Sequence, residues 1–336
     1  MIARMTYDFV VLAHQPNTIR QYKIYTSAVQ ALARIMPFAW RDPIPVPVGG
    51  HYGVTRSLVS GLQKLGVRFA YAPRLERTTA RAAVVLGGVE DLRAAMAWRR
   101  SGSCGLLLAG PNVVEIPTDQ GGILLSPDID RVIVASDKVR RQYESLTPQL
   151  VGRIWVWPAG VDENYWHSTS VGQRNTVLIY NKRMTELATQ LSSVLGKNGF
   201  QCEVINYGDH RKDRYRLHQL RSALDRANAC VMLTLDEPQG IVAAEVWSMN
   251  VPTLAYRAPG YETVETLPYL SPDTGSYWSS IEELVTLLKT LPRAAYRPRS
   301  WVLANMTDAI CAAKLVALVN DSHVRHSTFP HEMHGP

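Results

Sequence analysis

The stretch from Asp236 to Tyr256 reads DEPQGIVAAEVWSMNVPTLAY. It follows one apolar run, ACVMLTL from Ala229, and ends in another, VPTLAY from Val251. Short apolar runs of this kind, separated by a helical segment, mark parallel strands that are buried on both faces. The intervening chain must then cross from the carboxyl end of one strand to the start of the next by way of a helix. Pro238 holds Glu237 extended and out of that helix. Gly240 permits close backbone approach, the helix is expected to begin near Ile241, and Asn250 is the expected stop. A helix start presents unpaired amides and a positive dipole end, so Gln239, Gly240, Ile241 and Val242 are placed to hold a diphosphate or sugar hydroxyls. Glu245 lies little more than one turn further on, and its side chain leans back toward the helix start. Glu237 and Glu245 are therefore expected to look into one pocket. Ionised carboxylates only accept hydrogen bonds, which suits the vicinal hydroxyls of a ribose or a sugar.

The same alternation runs through the rest of the chain. Candidate strands are DFVVLA from Asp8, VRFAYA from Val67, AAVVLG from Ala82, GLLLAG from Gly105, RVIVAS from Arg131 and RIWVWP from Arg153. A second series is NTVLIY from Asn175, QCEVIN from Gln201, and the two runs that flank the opening stretch. Between them, Val54, Leu58, Leu62 and Leu65 follow near-helical spacing before Gly66. Ser280 and Glu283 fit a capping box ahead of Ile281, Leu284, Leu287 and Leu288. The polar, turn-rich GVDENYWHSTSVGQRN from Gly160 separates the two series, as a linker does. The expected architecture is α/β: two doubly wound Rossmann-like domains facing across a cleft, with ligands beyond the carboxyl ends of the strands. The expected boundaries are 1–165, 166–298, a C-terminal helix over 299–322 returning toward the N-terminal domain, and a polar tail over 323–336.

Bulk composition agrees with a folded protein. Of 336 residues, 46% are apolar and 19% charged, which excludes extensive disorder. No apolar run approaches the ~20 residues of a membrane-spanning helix, and the opening MIARMTYDFVVLAHQP is too polar for a signal peptide, so a cytoplasmic protein is expected. Cys104, Cys202, Cys230 and Cys311 lie in or beside apolar stretches without metal-ligand spacing, and are expected to be reduced, buried thiols. His323, His326, His331 and His334 crowd the tail and are taken as a frayed polar terminus. Asp128 and Asp130, in the sequence DID before RVIVAS, are taken as a loop or strand cap. The net charge of +7 favours an anionic partner by long-range steering.

The opening stretch, read with its flanks, resembles the E-x7-E region of retaining family-4 glycosyltransferases with the GT-B fold. The matching residues are Glu237, Gly240, Glu245 and the Val251-Pro252 pair. Other segments are similar in the same order: VGGHYGVTRSLVSGLQKLG from Val48 looks like the family's N-terminal glycine loop and helix, VIVASDKVRRQY from Val132 its strand and Ser-led helix, PAGVD from Pro158 its domain-closing turn, and VLIYNKR from Val177 the first C-domain strand and basic loop. The resemblance covers most of residues 43–320 and is stronger in the second half. It implies sugar transfer from a nucleotide-sugar, such as a UDP- or GDP-sugar, with retention and without a metal or other cofactor. By the same resemblance, Glu245 would bind the ribose and Glu237 the donor sugar. Lys182 and Arg183 would face the diphosphate, helped by the amides of Gly49 and Gly50. Relatives carry a histidine after the fourth N-domain strand; this chain has LLLAGPN there, which makes Asn112 the nearest polar residue. His14 and His51 are the other acceptor-side candidates. The resemblance also implies that the segment from Arg297 to Asp321 is a helix returning to the N-terminal domain.

Basic residues cluster in DHRKDRYRLHQLRSALDR from Asp209 and in DLRAAMAWRR from Asp91. Three acceptor readings follow. The first is a saccharide or lipid-linked glycan, where a membrane lipid surface would favour an exposed basic face. The second is a hydroxymethylated base in DNA, which requires a basic groove and an extruded nucleotide. The third is a non-catalytic nucleotide-sugar binding protein on the same scaffold.

Overall fold

The computed structural model describes residues 5–13, 50–168, 174–207, 215–291 and 295–327. The chain divides into two compact units. The first contains Val54–Gly160 with the first strand and the C-terminal segment from Asp308; the second contains Val161–Thr307 and, of the described residues before Val54, Gly50–Gly53.

The first unit is built on six parallel strands: β1 (Met5–Ala13), β2 (Phe69–Tyr71), β3 (Thr78–Gly87), β4 (Cys104–Asn112), β5 (Arg131–Val134) and β6 (Ile154–Val156). Their order is β2-β1-β3-β4-β5-β6. The central strands are the most apolar because both faces are covered. Val10, Leu12, Ala83, Val85, Leu107 and Ala109 join one core, together with Leu92, Ala95 and Trp98 of helix α2 (Val89–Arg100). The alternating residues Phe9, Val11, Ala82 and Val84 are just as buried. Each fully buried Val or Leu contributes about 1.5–3 kcal/mol. Helix α1 (Gly50–Lys64) buries Val54, Leu58 and Leu62, as its spacing predicts, but Leu65, the fourth residue of that pattern, falls just past the helix end and is exposed. Helix α3 (Asp137–Leu146) is capped by Ser136, whose hydroxyl accepts from the Val139 amide.

The second unit carries β7 (Thr176–Asn181), β8 (Gln201–Asn206), β9 (Ala227–Leu233), β10 (Thr253–Tyr256) and β11 (Gly275–Trp278), all parallel, in the order β11-β10-β9-β7-β8. Helices α4 (Thr185–Lys197), α5 (Leu217–Arg226), α6 (Ile241–Ser248) and α7 (Ile281–Thr290) follow β7, β8, β9 and β11. Val177, Ile179, Val231 and Leu254 pack with Leu191, Leu195, Leu284 and Leu288 in its core.

Several details differ from the sequence expectations. Strand β11 was not among the expected strands; it is only 4 residues long and opens on Gly275, where a Cβ would stand 1.8 Å from the Thr253 carbonyl oxygen. The Ser280 hydroxyl caps α7 by accepting from the Glu283 amide, but Glu283 reaches back to the amide of Ser279 (2.7 Å). The segment from Arg297 is two helices, α8 (Pro298–Asn305) and α9 (Asp308–Ser327). The chain breaks at Met306, where φ −142° leaves the helical region. Helix α9 also runs through His323 and His326, so the chain is helical to Ser327 rather than frayed from 323; His331 and His334 lie outside the described residues. Within the first unit, α9 lies against α1 at Gly61, where a Cβ would stand 2.3 Å from the Asp308 carbonyl oxygen and 2.5 Å from the Ala312 Cβ. Arg56 forks onto both carboxylate oxygens of the fully buried Asp308 at 2.6 and 3.0 Å. Cys104, Cys230 and Cys311 are buried free thiols, each pushed up to about 12 by burial; Cys202, on the edge strand β8, is only partly covered.

Among the described residues no helix is long and apolar enough to cross a membrane.

Candidate functional site

In the second unit β7 is the point where the chain changes direction. It passes to β8 on one side and then returns by β9 to the other. Connections leaving the carboxyl ends of β7 and β9 diverge there, which opens the crevice where α/β sheets hold ligands. The two connections begin at Lys182 and Thr234.

The β7 exit is shaped by Asn181, whose side chain is buried. Its Oδ1 accepts from the Met184 amide at 2.8 Å, and its Nδ2 donates to Asn206 Oδ1 at 2.8 Å. This ties the turn to the end of β8 and leaves Arg183 in the left-handed region at φ 68°. The Lys182 amide donates to the Leu233 carbonyl (2.9 Å), so Lys182 starts beside the end of β9. Its ammonium donates to Glu237 Oε2 at 2.7 Å and stands 5.8 Å from the ring centre of Tyr207. Both ionic side chains are roughly one-fifth exposed, at 24% and 19%. The pair is thus screened from bulk water, yet within reach of an arriving ligand.

The β9 exit holds Glu237 in place through its backbone, whose amide donates to the Thr266 carbonyl at 3.1 Å. Gln239 is buried, and Gly240 then adopts φ 76°, ψ 41° as the N-cap of α6. That conformation is left-handed, and a Cβ there would stand 3.2 Å from Leu267 Cδ1. Having no side chain, Gly240 gives α6 no side-chain cap, so the first amides, at Ile241, Val242 and Ala243, have no side-chain acceptor from it. Helix α6 begins at Ile241 as the sequence predicts. It ends in a Schellman motif: Asn250 at φ 60°, its amide on the Trp247 carbonyl (2.9 Å) and the Val251 amide on that of Val246 (3.2 Å).

Glu245 sits on α6, partly buried. Beneath the site lie Tyr180 and Tyr215, both buried, with ring centres 5.9 Å apart in an edge-on arrangement. Burial first, and then the field of nearby acidic groups, holds both phenols well above their ordinary value. Glu237 and Glu245 both act on Tyr180, and Glu245 also acts on Tyr215.

Lys182, Arg183, Glu237, Gln239, Gly240, Ile241, Val242 and Glu245 thus meet around the carboxyl ends of β7 and β9. Of the other candidates, Asn112 ends β4 in the first unit, in register with Gly87; Gly50 and His51 open α1, both exposed, and at Gly53 in the same turn a Cβ would stand 3.1 Å from Ile241 Cδ1 at the start of α6. Gly49 and His14 lie outside the described residues. Sequence reasoning did not single out Tyr180, Asn181, Tyr207, Tyr215, Thr266 or Leu267. Of these, only the adjacent Tyr180 and Asn181 at a strand end carried a local signal. Asp128 and Asp130 are engaged structurally: Asp130 accepts from the Leu107 amide (2.7 Å) and from Arg99 (3.3 Å), and Asp128 pairs with Arg100. Among the described residues no group of three or more His, Cys, Asp or Glu is arranged to hold a metal ion.

The arrangement combines a cation, an amide-lined helix start and two acceptor carboxylates at one crevice. That set can receive a ligand carrying both negative charge and hydroxyls.

No protein-family model matches the chain, and no curated protein matches it either. Solved structures do. A sucrose-phosphate synthase from Thermosynechococcus elongatus aligns with a TM-score of 0.53 at 13% identity, over 95% of this chain and 100% of that one. The fold is GT-B. A glycosyltransferase from Rickettsia africae aligns with a TM-score of 0.52 at 9% identity, over 95% and 98% of the two chains. The lipopolysaccharide outer core galactosyltransferase WaaB aligns with a TM-score of 0.50 at 10% identity, over 95% and 100%. At these identities the likeness is one of fold, and the GT-B scaffold does not by itself assign a reaction.

Proposed function

We propose that the protein is a nucleotide-sugar-dependent glycosyltransferase related to the retaining E-x7-E type, and that its second unit holds the donor. The observation that carries this reading is the Lys182–Glu237 pair at the β7/β9 switch point, beside the Gly240-led start of α6. In the reaction an acceptor hydroxyl attacks the anomeric carbon, the bond from that carbon to the diphosphate breaks, and the hydroxyl proton goes to the leaving diphosphate. Charge grows on the diphosphate as it leaves. Lys182, Arg183 and the α6 amides, with Gly49 and Gly50, stabilise that charge without a metal. An arriving diphosphate competes for Lys182 and releases Glu237 to accept the sugar's hydroxyls, while Glu245 accepts from the ribose. His14, His51 and Asn112 belong to the acceptor side.

The acceptor favoured here is a saccharide or lipid-linked glycan. Of the two basic segments, residues 209–214 of the one from Asp209 lie outside the described residues, and helix α2 is largely charge-compensated: Arg93 pairs with Glu90, Arg99 with Asp130 and Arg100 with Asp128. Arg226 of α5 is likewise held by Glu203. A DNA-binding groove needs such cations available for phosphates.

The test is nucleotide release from UDP-, GDP- and ADP-sugars, with and without saccharide acceptors and with duplex DNA bearing hydroxymethylated bases. Release with at least one donor, stimulated by a saccharide and insensitive to salt, is expected. Binding of a donor with no turnover under any condition would point to the non-catalytic reading, and release that depends on DNA would move the acceptor to nucleic acid.

A further inference from the structure

The segment between β10 and β11 forms the wall against which Glu237 and Gly240 rest. Thr266 and Leu267 in it are buried. The Thr266 carbonyl receives the Glu237 amide, and the Leu267 side chain packs over Gly240. What fixes this wall comes from one strand further away. The Tyr277 hydroxyl, on β11, donates to the Leu267 carbonyl at 3.0 Å and accepts from the Leu267 amide at 3.4 Å. Both backbone groups of one residue are thus held by a single side-chain oxygen. The Tyr277 ring is held in turn by Arg257, whose Cζ lies 3.5 Å from the ring centre. Arg257 donates to the Glu262 carbonyl at 2.7 Å, and its buried Nε has no hydrogen-bond partner. The ring face therefore covers the inaccessible Nε edge of a guanidinium whose other end remains exposed.

We infer that Tyr277 is a positioning residue for Glu237: Arg257 clamps its ring, its hydroxyl fixes Leu267 and Thr266, and Thr266 sets where the Glu237 carboxylate stands. The inference rests on the donor-sugar role proposed for Glu237 as far as turnover is concerned, but its structural half does not. Tyr277→Phe keeps the ring under Arg257 and removes both bonds to Leu267. Ser276→Ala is the matched control, because it deletes the bond from the neighbouring residue of β11 to Tyr296 (2.8 Å) on the other side of the strand.

Two readouts separate the outcomes. The first is hydrogen exchange at the Glu237 amide in the full-length protein without donor. Tyr277→Phe is expected to raise its rate roughly tenfold, the scale of one lost hydrogen bond, and Ser276→Ala to leave it unchanged. The second is steady-state turnover with whichever nucleotide-sugar the unaltered protein accepts. Tyr277→Phe is expected to lower kcat about tenfold with UDP or GDP affinity unchanged, because orientation of the sugar rather than grip on the nucleotide is lost. Unchanged exchange at Glu237 in Tyr277→Phe overturns the inference whatever the activity does. Faster exchange in a protein that turns over no donor upholds the positioning contact and overturns the donor reading instead. Equal effects of both variants on exchange would mean that β11 is merely loosened, and would also overturn the inference.

Discussion

The two units use the same ion-pair chemistry at opposite ends of their sheets. In the first unit Arg99 and Arg100, in the last turn of α2, meet Asp130 and Asp128 just ahead of β5. These pairs sit where strands begin. Helix C-termini point there, their negative dipole ends favour arginines, and the carboxylates also cap backbone, as Asp130 does for the Leu107 amide. In the second unit Lys182 and Glu237 sit where strands end and a helix N-terminus supplies the opposite field. A cation at that end is placed against the dipole's preference, and an anionic ligand satisfies both. On the donor reading proposed above, it is the position of an ion pair along the parallel sheet, not its distance, that separates bracing from binding.

Lys182→Ala should break this comparison most sharply. It is expected to lower kcat about 10²- to 10³-fold, the range for removing one fixed donor from developing charge. Thermal stability should change little, because the remaining Glu237 is partly hydrated. A variant with normal turnover would return Lys182 to the class of Arg99. Glu245→Ala comes next, and should weaken binding of the accepted nucleotide about 10- to 100-fold by calorimetry, the scale of a hydrogen bond to a charged group. Unchanged affinity would remove Glu245 from the donor site.

Asp130→Ala is the reciprocal experiment in the first unit. It strands the Leu107 amide and leaves Arg99 its bond to the Cys104 carbonyl (2.8 Å), and is expected to cost about 1–3 kcal/mol in urea unfolding while leaving kcat unaltered. Loss of turnover at full stability would show that the amino-end pairs are not purely structural.

Much of this contrast was legible in the sequence. The central strands announced themselves because burial on both faces leaves no room for polar alternation, and Pro238, Gly240 and Asn250 punctuate α6 by backbone rules that act locally. Glu237 follows directly from such a strand end, whereas Lys182 is singled out through the glycosyltransferase resemblance. What escaped was long-range. Strand β11 has four residues and depends on Gly275 for its approach to Thr253. Tyr277 matters through Leu267, ten positions away, and Arg100 is neutralised by a residue 28 positions on. Arg93, Arg99 and Arg100 looked like an open basic face because a partner across a fold leaves no mark on the local pattern.

The smallest expected effect compares the two ends of α6 itself. Gly240 and Asn250 both occupy the left-handed region, at φ 76° and 60°. The first lies at the end proposed to meet the donor and the second at the opposite end of the helix. Asn250 is exposed, the Schellman bonds of its motif are made by backbone alone, and its side chain accepts a long bond from the Arg299 amide at 3.4 Å. Asn250→Gly should therefore be within about 0.5 kcal/mol of neutral, and Asn250→Ala should cost about 1 kcal/mol from backbone strain, both without change in donor affinity. Gly240→Ala carries the same backbone strain and adds a Cβ against Leu267. It should weaken donor binding as well as stability, since the amides of Ile241 and Val242 move with it. If Asn250→Ala and Gly240→Ala shift Tm alike and leave donor affinity alike, the start of α6 has no more to do with the ligand than its end, and the switch-point assignment fails with it.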